Sequence, residues 1–401
     1  MLVDSIERKL LVQTAVLTPD ENSLECIREL LGQPLDWDVL CTQSMVHGTA
    51  GLLYNNILLA GGGNLINEDI LERLKNNYMM VVYFGLRQIA EFRPIARALD
   101  DKGIKIAVLK GAALIGNIYK GDFGLRPISD IDILVREQDW PKVYEVLRES
   151  DFRPAEKDFD DILPKLTKYD VEAHIQFLSS SRTCLEFQFD LYTLGIGMRD
   201  IGGVWDRSRE IEIEGVRVLV PGDEDQLLHL IIHANRHGCA RLKWLVDIAE
   251  TVQRSESLNW DLFVEIAKRE KVTACVYSTL EHIERLFGRG YMHQDVLERL
   301  KPKAYQRRLW RFVWPDKMLD EFRGRHEDAI CFYYYRPLSG WNLINFALMN
   351  RIRDKIAYQL RWMFPSMSWM SQTYSKPKSL ALIKYYPIRL MDRRLKRKEE
   401  T

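Results

Sequence analysis

The stretch that decides the fold is residues 108–135, which read VLKGAALIGNIYKGDFGLRPISDIDILV. The apolar, β-branched residues 104–109 predict a short buried strand, which Gly111 ends. Residues 112–119 have the composition of a helix. The glycine-containing turn after this helix leads to a second predicted strand, residues 130–135. The stretch therefore places a helix between two buried strands.

Two carboxylates lie at the start of the second strand. Successive strand side chains point to opposite faces, so Asp130 and Asp132 share one face, while Ile131 and Ile133 share the other. Like charges this close raise each other's pKa unless a cation lies between them. Ligand sets made only of oxygen atoms favour Mg²⁺ or Mn²⁺. The pair therefore predicts a divalent metal site.

The order of these features resembles the uncharacterised bacterial nucleotidyltransferase family of the DNA polymerase beta-like nucleotidyltransferase superfamily. The resemblance covers roughly residues 100–255 and rests on Lys110-Gly111, Arg126, Asp130, Asp132, Glu186, His233, His237, Trp244 and Asp247. It implies an α+β nucleotidyltransferase fold, in which a small mixed sheet with helices is flanked by N-terminal and C-terminal helical regions.

The same resemblance implies an activity, a cofactor and a set of site residues. The implied reaction is NMP transfer from a nucleoside triphosphate, ATP being one candidate, to a hydroxyl or phosphate of an acceptor by a two-Mg²⁺ mechanism. The implied catalytic and metal-binding residues are Asp130, Asp132 and Glu186. The implied nucleotide-binding residues are Lys110, Gly111, Ala112, Arg126 and Ser129. Many relatives have Gly-Ser or Gly-Gly where this chain has Gly111-Ala112, so Lys110 or backbone amides must replace a serine hydroxyl.

The third carboxylate has two interpretations. In residues 184–191, Glu186, Gln188 and Asp190 alternate with apolar residues, and a strand with one solvated face explains this pattern without any function. A metal site at Asp130 and Asp132 needs a further carboxylate from a neighbouring strand, which favours Glu186. Asp190 and Glu172 are lesser candidates. The family often has a histidine where this chain has Gln188.

The flanking parts read mainly as helices. Residues 1–100 show helical periodicity and no recognisable chemistry, and a helix over residues 71–99 is expected to pack against the sheet. The glycine run 61–64 follows no strand and precedes no lysine, so it is interpreted as a helix–helix connection. A hairpin over residues 211–220 is predicted to turn at Glu214-Gly215.

Histidines recur every four residues on one later helix, at positions 229, 233 and 237. This helix lacks the glutamate of a zincin motif, so packing near the site is favoured over zinc binding. On the next predicted helix, Arg241, Lys243 and Asp247 are candidates to line the cleft. For Lys243, a solvated helix face is the competing interpretation.

Charge is balanced overall but distributed unevenly. The chain has no net charge, yet residues 301–401 contain 22 lysines and arginines against 9 acidic residues. Basic residues interleaved with aromatic ones, with the end of the chain at 389–398 as the clearest example, predict a weak contact with nucleic acid or an anionic membrane. A solvated basic end is the alternative.

Length and composition indicate a globular protein of several parts. Of the 401 residues, 46% are apolar and 28% charged, and the six cysteines form no Cys-x-x-Cys pair. With no signal sequence and no apolar run of about 20 residues, we expect a cytoplasmic protein. The expected organisation is an N-terminal helical region (1–100), the catalytic core (101–220), a helical region packed on the core (221–300) and a basic, aromatic-rich helical region (301–401).

Two other functions remain compatible with the sequence. A toxin-like transferase that modifies RNA or protein is favoured by the basic C-terminal region. A non-catalytic nucleotide-binding scaffold is favoured by the missing loop serine. The intact carboxylates speak against the scaffold, because paired buried charges are costly to keep without a cation.

Overall fold

The computed structural model describes most of the chain up to residue 313. The described residues are 5–155, 175–191, 200–236, 239, 241–255, 257–288, 290, 293–313, 356, 360, 363, 364, 367, 370 and 383–387. Glu172, His237 and the basic stretch 389–398 lie outside the described residues, so the predictions that concern them stay predictions.

The N-terminal helices are short and mostly capped by side chains. They are α1 (Ile6–Gln13), α2 (Glu21–Leu31), α3 (Trp37–His47) and α4 (Ala50–Leu59). Ser5, Asp20 and Asp36 accept amide hydrogen bonds at the starts of α1, α2 and α3. The N-cap of α4, Thr49, makes no such bond. A 3₁₀ turn, Gly62–Asn64, follows α4, which confirms that the glycine run connects two helices.

The next helix, α5 (Glu68–Asp101), is 34 residues long and leads into the first strand. Its buried side carries Ile89, Phe92, Ile95 and Leu99, which belong to the same apolar core as residues of the sheet. The expected packing of this helix against the sheet is therefore confirmed. The apolar period of the sequence predicted it, because one stripe of a helix must be buried against another element.

The sheet has seven described strands and mixes parallel with antiparallel pairs. The strands are β1 (Ala107–Val108), β2 (Ile131–Leu134), β3 (Arg153–Pro154), β4 (Ile175–Leu178), β5 (Cys184–Gln188), β6 (Arg209–Ile213) and β7 (Val216–Val220). Their order is β3-β4-β5-β2-β1-β7-β6. Strand β2 runs antiparallel to β1 and parallel to β5, and β1 runs parallel to β7. The predicted α+β class with a mixed sheet is confirmed.

The hairpin between β6 and β7 turns where the sequence predicted. Glu214 and Gly215 have φ angles of 49° and 76°. Two successive positive φ angles match the twist of a two-residue hairpin turn. The pairing of Ile213 with Val216 closes the hairpin directly next to this turn.

The remaining helices pack around the sheet and beyond it. They are α6 (Lys110–Asn117), α7 (Trp140–Glu149), α8 (Ile201–Arg207), α9 (Asp223–Arg236), α10 (Leu242–Arg254), α11 (Trp260–Glu270), α12 (Thr273–Phe287), α13 (Gln294–Leu300) and α14 (Ala304–Val313). Helix α6 begins at Lys110, two residues before the predicted start. Leu242 and Val246 of α10 pack in one core with helices α1 to α4. None of the described helices combines the length and apolarity needed to cross a bilayer.

Candidate active site

Strand β2 places two acidic side chains next to a third one. Asp132 is the Cα partner of Glu186 in the parallel pair β2–β5, so the two side chains lie on the same face of adjacent strands. Asp132 and Glu186 are 2% and 9% exposed. Asp130, just before β2, is half-buried. Ile131 and Ile133 are fully buried in one apolar core, whereas Leu134 belongs to another, as the alternation of a strand predicts.

Lys110 faces these carboxylates from the turn between β1 and α6. Its ammonium group forms an ion pair with the carboxylate of Asp132. Burial lowers the pKa of Lys110, but the negative charges of Asp132, Asp130 and Glu186 outweigh burial, so the pKa is raised and the side chain is charged. Its φ of 48° lies in the left-handed region, which costs a residue with a Cβ about 1–2 kcal/mol. The strained backbone therefore coincides with the predicted nucleotide-binding lysine.

The acidic group carries more negative charge than Lys110 can balance. Burial raises the pKa of Asp132, and the charges of Asp130 and Glu186 raise it further, while Lys110 opposes them. A carboxylate donor set of this kind fits a hard cation such as Mg²⁺. Within the described ranges, however, no three acidic, histidine or cysteine side chains are grouped closely enough to hold a metal ion. Asp132 instead contacts Lys110, and Glu186 accepts a hydrogen bond of 2.9 Å from the Gln176 amide.

Arg126 is buried and bound to a carboxylate from a distant helix. Its Nε and Nη2 donate to the Asp247 carboxylate at 3.1 and 2.7 Å, and Tyr119 donates its hydroxyl to the same carboxylate at 2.8 Å. Arg126 is 5% exposed and Asp247 is 0% exposed. Burial lowers the pKa of Arg126, but the charge and hydrogen bonds of Asp247 raise it by more. The guanidinium predicted to hold phosphate is thus paired with Asp247.

Gly111 allows Arg126 to lie against the start of α6. A Cβ on Gly111 would lie 2.6 Å from Nη1 of Arg126, closer than real Cβ atoms approach other atoms. The pairing of Arg126 with Asp247 therefore links three segments: the turn at Lys110-Gly111, the loop that leads to Asp130, and helix α10. Of the other two predicted nucleotide-binding residues, Ala112 is buried and Ser129 is exposed. The Ser129 hydroxyl donates to Asp130 at 2.9 Å.

Helices α4 and α5 contact the loop that leads to Asp130. Sequence analysis did not predict this contact. A Cβ on Gly51, in the first turn of α4, would lie 1.7 Å from the carbonyl oxygen of Gly124. From α5, the Gln88 amide donates to the carbonyl of Ile128 at 2.6 Å. The sequence feature that could have indicated this close contact is Gly51, a glycine within a helical segment. Its partner lies more than 70 residues away, so no local pattern could identify the contact.

Lys243 is buried beside this loop, so the interpretation as a solvated helix face is wrong for it. The residue is 6% exposed and lies against Gly48, which ends α3. Burial and the neighbouring charges of Arg126 and Arg241 lower the pKa of Lys243 to about 7, although Asp130 and Asp247 oppose this shift. We find no hydrogen bond or ion pair of its ammonium group to any described residue.

The described histidines of α9 pack and hydrogen-bond, as predicted. His229 is 5% exposed, and its Nδ1 lies 2.7 Å from the carbonyl oxygen of Leu191. His233 lies next to His229 and edge-on to the ring of Trp244, with 5.3 Å between the latter two ring centres. Two residues after Glu186, Gln188 is 1% exposed, and its side-chain amide makes no hydrogen bond to any residue in the described part of the chain.

Comparison with known proteins identifies the family of the chain. The model of a family described as uncharacterised nucleotidyltransferase matches residues 33–288, more than half of the chain. This match extends on both sides beyond residues 100–255, and it includes α3, α4 and the helices up to α12. No curated protein and no solved structure matches the chain. The chain thus belongs to the uncharacterised nucleotidyltransferase family.

Proposed function

We propose that the protein transfers NMP from a nucleoside triphosphate to a hydroxyl or phosphate of an acceptor and releases pyrophosphate. The observation that carries this proposal is the register of β2 on β5, which puts Asp132 beside Glu186 with Asp130 close by. Membership of a nucleotidyltransferase family supports nucleotidyl transfer as the reaction class. The geometry supports Asp130, Asp132 and Glu186 as the side chains that would perform it.

Asp130, Asp132 and Glu186 would hold the divalent cation, Mg²⁺ or Mn²⁺. The cation, when bound, supplies Lewis-acid stabilisation of the triphosphate and lowers the pKa of the attacking hydroxyl. Asp132 must exchange its contact with Lys110 for this ligand role. The freed Lys110 ammonium then donates to a phosphate oxygen, which returns a negative partner to a buried positive charge.

The start of α6 would bind the phosphates. The backbone amides of Gly111 and Ala112 lie in its first turn, where unpaired N–H groups and the helix dipole favour anions. Ser129 is a further candidate for contact with the nucleotide. For Arg126, a direct contact with the triphosphate stays a prediction, and its bonds to Asp247 favour a positioning role instead.

The test compares acidic variants by calorimetry with Mg·NTP and by mass spectrometry of candidate acceptors incubated with each of the four NTPs. Asp130→Asn is the most direct variant, because this side chain is only half-buried and removing its charge leaves Lys110 paired with Asp132. We expect it to lose Mg²⁺-dependent NTP binding, and Glu186→Gln to lose turnover more than affinity. The exposed Asp206→Asn on α8 is the matched control.

Three outcomes would redirect the proposal. Unchanged Mg·NTP affinity in Asp130→Asn contradicts the metal site. Mg·NTP binding without transfer to any acceptor favours the nucleotide-binding scaffold. Transfer to RNA or protein favours the toxin-like transferase. The predicted contact of residues 389–398 with nucleic acid or anionic lipid is tested separately: deletion from Arg389 should remove binding that weakens steeply with salt and should spare Mg·NTP binding.

A further inference from the structure

The corner between α3 and α4 meets the first turn of α10 beside the candidate active site. His47 accepts a hydrogen bond at Nδ1 from the Leu242 amide at 3.3 Å. Gly48 has a φ of 69°, and a Cβ at this position would lie 2.5 Å from Cδ of Lys243. The aliphatic part of Lys243 therefore runs directly over the residue that precedes Thr49.

Two polar side chains at this corner lack a partner among the residues that the structure describes. Thr49 is 0% exposed, and its buried Oγ1 makes no hydrogen bond to any described residue. Lys243 is 6% exposed as a residue, and its ammonium group forms no hydrogen bond or ion pair with the described residues. A buried polar group without a partner costs stability, and native structures contain few of them. The Thr49 hydroxyl next to an unpaired ammonium group points to a ligand that contacts both.

The backbone at the corner also favours an anion. Thr49 occupies the N-cap of α4 without bonding to the amides of the first turn. These amides and the positive end of the helix dipole attract negative groups. At the start of α10 next to it, by contrast, the first amide is already bonded to His47. One uncapped helix start and the largely buried Lys243 thus lie next to each other.

The neighbouring charges strengthen this preference. Lys110 and Arg126 are each paired with a carboxylate, on Asp132 and Asp247. Lys243 has no such partner, and its pKa is lowered to about 7 by burial and by nearby arginines. An anion at this corner would stabilise the ammonium form of Lys243.

We propose that the ammonium group of Lys243, the hydroxyl of Thr49 and the first-turn amides of α4 form a binding site for a phosphoryl oxyanion. The inference rests on the proposed function, because that reaction brings phosphoryl groups to this region as the triphosphate or as part of the acceptor. Contact with the N-terminal helices distinguishes this site from the phosphate-binding turn at Lys110-Gly111.

The experiment measures the affinity of inorganic pyrophosphate, inorganic phosphate and Mg·ATP by calorimetry. Lys243→Met preserves the aliphatic part and removes the charge, and Thr49→Val preserves the shape and removes the hydroxyl. The controls are Lys268→Met on the exposed side of α11 and Thr14→Val, whose buried hydroxyl bonds to the Leu10 carbonyl. Thermal melting without ligand is measured for every variant.

We expect Lys243→Met to weaken pyrophosphate or phosphate binding about tenfold to a hundredfold, because it removes a charge-assisted hydrogen bond. Its melting temperature should be equal to or above that of the wild type, since the variant removes a largely buried side chain's charge that lies near two arginines. Weakened affinity for Mg·ATP as well assigns the site to the triphosphate. Weakened affinity for inorganic phosphate alone assigns it to a phosphate of the acceptor.

Wild-type affinities for pyrophosphate, phosphate and Mg·ATP in Lys243→Met would overturn the inference. If Lys243→Met does not fold, Thr49→Val decides: weaker phosphate binding than in Thr14→Val supports the site, and equal binding overturns it. Failure of the proposed function has a different signature, because Asp130→Asn would then keep its Mg·NTP affinity whatever the Lys243 variant does.

Discussion

Replacing Asp247 by asparagine should destabilise the protein strongly, although the two side chains have the same shape. The substitution removes the negative charge that balances Arg126, and both residues are almost fully buried. Removing one partner of a buried ion pair leaves an uncompensated charge, which typically costs about 3–5 kcal/mol. Tyr119 would keep an acceptor in the asparagine carbonyl, so the loss is chiefly that of the charge. Urea denaturation measures the change in the free energy of unfolding.

A surface pair provides the matched control. Lys102 and Glu145 lie 3.3 Å apart, with side chains that are 38% and 60% exposed. Glu145→Gln removes a charge by the same chemistry, but an exposed pair contributes only about 0–1 kcal/mol. We therefore expect Asp247→Asn to lower the free energy of unfolding by several kcal/mol more than Glu145→Gln does, because only the first pair is buried.

A double variant separates stability from positioning. Replacing Arg126 by Met and Asp247 by Leu removes both charges and should recover part of the lost stability, because an apolar pair often replaces a buried ion pair without cost. The recovery is incomplete because the buried Tyr119 hydroxyl loses its acceptor. Nucleotidyl transfer should stay impaired, since the loop before Asp130 is no longer tied to α10. A wild-type unfolding free energy for Asp247→Asn would refute this reasoning, and so would full activity in the double variant.

Two further predictions concern pH and packing. His282 has its pKa lowered to about 3 by burial and by the charges of Arg285 and Arg8. The unfolded chain therefore binds a proton below about pH 6.5 that the folded protein does not bind, and stability falls by about 1.4 kcal/mol per pH unit towards pH 3. Calorimetry from pH 7.5 to 4.5 should show this additional loss in the wild type and not in His282→Gln, and parallel curves would contradict it. Gly51→Ala should lower the melting temperature markedly, because the new Cβ would collide with the backbone carbonyl of Gly124 in the loop before Asp130. Gly202→Ala, in α8 with open space around it, should raise the melting temperature slightly, and equal shifts in the two glycine variants would show that α4 does not press on the loop.

The parts of the site that follow from local patterns could be predicted from the sequence. The alternation of Asp132 with Ile131 and Ile133 follows from the period of a strand, and the structure places Asp132 beside Glu186 and both isoleucines in one apolar core. The hairpin turn at Glu214-Gly215 follows from the backbone angles that such turns require. In both cases the residues that determine the structure are neighbours in the chain.

The parts that depend on distant contacts could not be predicted. Arg126 and Asp247 are 121 positions apart, and nothing near Arg126 indicates that its partner is a carboxylate of α10. Lys243 follows the buried Leu242, and only the position of α3 decides that it too is buried. The helical period identifies which side of a helix is apolar. It does not show how much more of the helix surface is buried when further helices pack against it.

The distance between Arg126 and Asp247 also sets the order in which the site can mature during synthesis. Asp130, Asp132 and Glu186 all leave the ribosome before Asp247, and domains generally begin to fold from the N-terminal side. Until α10 emerges, Arg126 lacks the carboxylate of Asp247, so we expect the loop before Asp130 to reach its final position only after residue 247 has been made. A nascent chain that stalls or is cleaved before residue 247 would carry all three candidate carboxylates, and we expect it to be inactive. A helix that follows the sheet in the chain would thus determine when the candidate site is complete.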